Sequence, residues 1–76
     1  MNEKEICEMV ELQLGKQNVR PNDRFVEDLG AESADVANLV ARVEERYDIF
    51  IKESEIARIF TPTDLLAMVR QKTDEA

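Results

Sequence analysis

Val36, Leu39, Val40, Val43 and Tyr47 fall at i, i+3, i+4, i+7 and i+11, a single apolar stripe over three helical turns. Asp35, Asn38, Arg42, Glu45 and Arg46 fall on the opposite face. A stripe of this kind must be buried against something, and its spacing predicts a helix over 33–47. Two more long helices follow by the same logic. Asn2-Glu3-Lys4-Glu5 has the form of a helix start, with Asn2 as cap and Glu5 reaching back. Ile6, Met9, Val10 and Leu14 then recur at helical spacing, and Gly15 is a stop, which gives a helix over 2–14. Thr61-Pro62-Thr63-Asp64 supplies a cap, a proline at the first helical position and an acid in the first turn. Leu65, Leu66, Met68 and Val69 give that helix an apolar face, and Arg70 and Lys72 suit its far end, so it covers 62–72.

The connections are less regular. Pro21, Asn22, Asp23 and Gly30 break any periodicity across 15–32, yet Val19, Phe25, Val26 and Leu29 are scattered through it. A loop this long in a small domain is functional or is pinned by its own side chains. Phe25 and Leu29 are expected to tuck beneath the helices. Ile49 and Ile51 alternate with other residues, but the run is too short for a strand and has no pairing partner. A loop and a short helix over 53–58 are expected instead, with Ile56 and Ile59 facing inward. The tail 73–76 should fray. The expected fold is all-α: one domain over 1–76, a small four-helix bundle with three longer helices, one short helix and a long first loop.

A chain of 76 residues buries only about 60% of its unfolded surface, too little for a large, dry active site. Seventeen acidic residues against ten basic ones give a formal net charge of −7. That charge disfavours nucleic acid and anionic membrane surfaces as partners. It favours enzymes with basic docking patches. No apolar run is long enough to span a membrane or to serve as a signal peptide, and the single Cys7 cannot close an internal disulfide. A monomer in the reducing cytoplasm is expected, with Cys7 a small filler at a helix interface.

The sequence contains no histidine, so Ser–His and Cys–His catalysis are absent. There is no Cys/His cluster for zinc and no glycine-rich phosphate loop. Asp23, Glu27, Asp28, Glu32 and Asp35 are dense in acid, but they lack the alternating ligands and central glycine of a calcium loop; no metal site is assigned. These acids lie on a loop and an exposed helix face, which is no setting for general acid–base work.

Ser33 remains. Its plainest role is helix capping, its oxygen accepting from the N–H of Asp35 or Val36. Flanking Glu32 and Asp35 oppose an alkoxide, so any reaction at Ser33 needs a base from another protein. A helix N-terminus nevertheless suits an attached phosphodiester, because free N–H groups and the positive end of the dipole meet there.

The segment FVEDLGAESADVANLVARVEERYDIFI resembles the acyl carrier protein family, whose signature reads approximately F-x-E-D-L-G-x-D-S-L-D before a striped helix, paired acids, an aromatic and I-x-I. Phe25, Glu27, Asp28, Leu29, Gly30, Ser33 and Asp35 match directly; Leu39, Val40, Glu44, Glu45, Tyr47, Ile49 and Ile51 continue the match. The resemblance implies that Ser33 is the attachment point for 4′-phosphopantetheine, installed from coenzyme A by a phosphopantetheinyl transferase. It implies a non-catalytic carrier that delivers acyl groups, held as thioesters, to enzymes of fatty acid or specialised lipid and polyketide biosynthesis. It further implies docking through Glu32, Asp35, Asn38, Glu44 and Glu45. Acyl chains would lodge among Phe25, Val43, Ile51, Ile56, Ile59 and Leu65. The chain departs from the pattern at Glu32-Ser33-Ala34, where the family has D-S-L. It departs again at Asn38, where an acid is expected, at Ala41, where a methionine is expected, and at Arg42 and Arg46, which add positive charge. These changes point to a specialised carrier. They also leave room for an acidic adaptor that keeps the fold without a prosthetic group.

Overall fold

The computed structural model describes residues 1–73 of the 76-residue chain. Four helices follow one another: α1 (Glu3–Leu14), α2 (Ser33–Tyr47), α3 (Glu53–Ile56) and α4 (Pro62–Lys72), and no strand occurs among the described residues. Asn2 caps α1, its Oδ1 accepting the Glu5 N–H at 2.9 Å. Gly15 ends that helix in the left-handed region at φ 66°, where its N–H closes onto the Glu11 carbonyl. Thr61 caps α4 through Oγ1, and Asp64 returns the bond by accepting the Phe60 and Thr61 N–H groups.

The three long helices enclose one core. Ile6 and Val10 of α1, Leu39, Val40 and Val43 of α2, and Leu65, Leu66 and Val69 of α4 are buried together. The helix α1 packs against both α4 and α2, while α2 and α4 meet over a smaller area. The α3 helix is different. It is four residues long and buries none of them. It ends at Ile56, two residues short of the stretch expected to be helical. Arg58 and Ile59 donate to carbonyls three residues back, so the chain tightens and turns toward Ile59, which is buried. An ion pair of 2.8 Å from Lys72 Nζ to Glu55 Oε1 ties α3 to the end of α4. The expected fraying of 73–76 lies outside the described residues except at Thr73, whose N–H and Oγ1 both donate to the Val69 carbonyl.

The loop 15–32 is pinned as its apolar residues suggest. Phe25 is 1% exposed, and its N–H donates to the Phe60 carbonyl at 2.8 Å, stitching the loop to the segment before α4. Thr63 adds a second stitch, its N–H and Oγ1 donating to the Pro21 carbonyl. Val19 and Ala31 are buried and Leu29 is half-buried, whereas Val26 faces outward. Arg24 folds over Asp28, whose carboxylate accepts the Arg24 N–H at 2.8 Å and its Nε at 3.3 Å. Those hydrogen bonds hold the Asp28 carboxyl below the ordinary range. Cys7 is buried in the core, and desolvation pushes its thiol above the usual value, with Glu11 adding to the shift.

Candidate functional site

Ser33 opens α2 and is exposed. The structure moves the cap one residue upstream of the expected position. Glu32 is the N-cap; its backbone carbonyl accepts from Asp35 N–H at 3.0 Å and Val36 N–H at 3.1 Å, the two donors assigned above to the Ser33 hydroxyl. Asp35 completes the turn by accepting the Glu32 N–H on Oδ2 at 3.0 Å. With that geometry satisfied by Glu32 and Asp35, the Ser33 hydroxyl has no protein hydrogen-bond partner among the described residues, and it points from the first turn of a 15-residue helix. The Ser33 and Ala34 N–H groups likewise have no protein acceptor there.

The approach to Ser33 is shaped by the loop before it. Gly30 adopts φ 67° in open space, so the chain reverses between the pinned loop and α2 without a side chain crowding the turn. Ala31 N–H returns to the Phe25 carbonyl at 2.8 Å, which fixes the segment two residues before Ser33 to a buried anchor.

Along α2, Glu32, Asn38 and Glu45 are exposed and Asp35 is half-buried over its own turn. Asn38, Arg42 and Glu45 fall at i, i+4 and i+7, so a cation interrupts this acidic face. Glu44 differs from these in its surroundings. It is half-buried, and its Oε2 accepts the Ile51 N–H at 2.8 Å, so one carboxylate oxygen is spent holding the loop after α2. Glu11 does the same near the end of α1, accepting the Val19 N–H at 3.0 Å. Sequence spacing gives no sign of either bond, because each crosses a turn whose path is set by packing. Phe25, Val43, Ile51, Ile59 and Leu65 come together in the core, with Ile56 half-buried at its edge. Among the described residues no group of three His, Cys, Asp or Glu side chains could hold a metal ion.

The family model for the phosphopantetheine attachment site matches residues 4–69. The chain belongs to the acyl carrier protein family. It is 39% identical over 59 residues to an acyl carrier protein of Helicobacter hepaticus, covering 78% of each chain. It is 35% identical over 72 residues to one of Nitratidesulfovibrio vulgaris, covering 92% of this chain and 95% of the relative. A solved structure assigned to the acyl carrier proteins, from Mycobacterium tuberculosis, superposes with a TM-score of 0.83 at 26% identity, covering 91% of this chain and 95% of that one. The acetyl actinorhodin acyl carrier protein of Streptomyces coelicolor superposes at 0.77 and 23% identity, covering 99% and 93%, a likeness of fold alone. Membership implies a covalently attached phosphopantetheine and interaction with enzymes. The adaptor without a prosthetic group finds no support in these relationships. No helix among the described residues is long and apolar enough to cross a membrane.

Proposed function

We propose that this protein is a non-catalytic cytoplasmic carrier whose Ser33 Oγ holds 4′-phosphopantetheine, and that it delivers acyl intermediates to enzymes of fatty acid or specialised lipid and polyketide biosynthesis. The observation that carries the proposal is a serine hydroxyl exposed and free of protein hydrogen bonds at the head of α2. Such a hydroxyl is open to a phosphopantetheinyl transferase. Glu32 and Asp35 do not deprotonate it, since their charges oppose an alkoxide; a base on the transferase would take the hydroxyl proton while Ser33 Oγ bonds the pantetheine-side phosphorus of coenzyme A, the pyrophosphate bond breaks and adenosine 3′,5′-bisphosphate leaves.

The free N–H groups of Ser33 and Ala34 and the positive end of the α2 dipole would favour a phosphodiester on Ser33 Oγ. Phosphopantetheine, when bound, supplies a terminal thiol on a long flexible arm. The chain's own residues hold the attachment point still: Asp35 locks the Glu32 turn, and Phe25 anchors the loop that leads into it. Glu32, Asp35, Asn38 and Glu45 greet partner enzymes with basic patches, and Glu44 adds what its loop contact leaves free. The core residues Phe25, Val43, Ile51, Ile59 and Leu65, with Ile56 at the edge, are where an acyl chain lodges. The lightly packed α3 is the element that can yield to it.

Intact-mass measurement tests the reading. Incubation with coenzyme A, magnesium and a broad-specificity transferase should add one phosphopantetheine to the wild type and none to Ser33→Ala. A folded wild-type sample with no increment, or an increment that survives Ser33→Ala, would overturn it.

A further inference from the structure

The side chains proposed to receive an acyl chain share one chemistry. Phe25, Val43, Ile51, Ile59 and Leu65 are buried, Ile56 stands half-buried at their edge, and none carries a polar side-chain atom. Among the described residues no polar or charged side chain is buried at all. The backbone of the same residues offers no donor either. Phe25 N–H donates to the Phe60 carbonyl at 2.8 Å, Ile51 N–H to Glu44 Oε2 at 2.8 Å, and Leu65 N–H to the Thr61 carbonyl at 3.1 Å. Ile56 and Ile59 donate to the Lys52 and Ile56 carbonyls at 2.9 and 3.0 Å. Val43 lies inside α2, where the helical ladder takes its N–H.

We propose that the cargo this core shelters is a plain hydrocarbon chain, and that a chain bearing a ketone along its length is left in solvent. The inference rests on the carrier reading and narrows its cargo: either kind of chain can be attached, and only one is taken in. A methylene that leaves water for these side chains gains by the move. A ketone oxygen only accepts hydrogen bonds. On entering it gives up water and finds every N–H of the ring already bonded, so the same move costs free energy.

Neighbouring hydroxyls do not supply the missing donor. Thr63 Oγ1 donates to the Pro21 carbonyl, and Thr61 Oγ1 is engaged in the α4 cap. The Cys7 thiol is a weak donor. Among the partly buried apolar side chains packed on the core, Tyr47 alone carries a hydroxyl. Tyr47 ends α2 a full turn beyond Val43, with the Arg46 guanidinium 5.8 Å from its ring centroid.

Thermal melting of the loaded chain tests the proposal. A transferase given octanoyl- or δ-keto-octanoyl-coenzyme A attaches arm and chain together, and intact mass reads the loading of each sample. The octanoyl form should melt about 5 °C or more above the form bearing phosphopantetheine alone. The δ-keto form should melt within about 1 °C of that reference. Equal stabilisation by the two chains, or none by either, overturns the proposal and leaves attachment at Ser33 standing. A δ-keto chain that stabilises the wild type but not Tyr47→Phe also overturns it, by revealing a donor within reach. Failure of both chains to load, seen by mass before any melting, overturns the carrier reading and this inference with it.

Discussion

At the scale of single residues, Phe25 bears more of the site than its place in a loop suggests. Its ring is buried, its N–H is bonded to the Phe60 carbonyl, and its carbonyl receives the Ala31 N–H. Phe25→Ala should therefore cost about 3–5 kcal/mol, the range for a large core aromatic, read as a shifted urea midpoint. A loss below about 1 kcal/mol would show that the loop is held by its backbone bonds alone. Ser33 is the contrasting case. Its side chain is exposed and makes no protein hydrogen bond among the described residues, so Ser33→Ala should change the unfolding midpoint little while removing the proposed site of modification.

At the scale of elements, the short α3 depends on specific contacts more than on burial. Glu55 Oε1 accepts from Lys72 Nζ at 2.8 Å and from the Lys52 N–H at 2.9 Å, so one oxygen both caps the helix and joins it to α4. The Lys72 hydrogen bond, then the Lys52 N–H, hold the Glu55 carboxyl below the ordinary glutamate range. A carboxyl lowered on folding stabilises fully above its unfolded value and loses that contribution as pH falls through the folded one. Wild type should accordingly melt above Lys72→Met at neutral pH, and the gap should narrow as pH falls below the ordinary glutamate range. Relief of the overall negative charge on acidification acts on both proteins and largely cancels in the difference. A gap that stays constant with pH would mean that Lys72 acts through its aliphatic stem.

At the scale of the whole molecule, net charge bears on the proposed encounter with partner enzymes. A chain of net charge −7 attracts basic patches from a distance, and exposed charges at the rim of a contact change association rates more than lifetimes. Glu45→Lys should slow association with a partner synthase in stopped-flow measurements and flatten its dependence on salt. Rates unchanged by the substitution would place docking elsewhere. Glu44→Lys is the less clean probe, because it also removes the acceptor of the Ile51 N–H.

The helices, their caps and the buried stripe were legible in the residues themselves, because helical periodicity and capping depend on neighbours within four positions. Val36 through Tyr47 announce α2, and Thr61-Pro62-Thr63-Asp64 announces α4, whatever surrounds them. The motif around Ser33 was legible through its resemblance to the acyl carrier protein family, which is carried by a contiguous run of residues. Other features depend on how distant segments meet. Whether Glu32 or Ser33 caps α2, which glutamates are turned inward to hold Val19 and Ile51, where α3 stops, and that Leu12 lies open on the surface were all decided by tertiary packing. A backbone N–H takes whichever acceptor the packed chain brings within reach, and one-dimensional spacing does not hold that information.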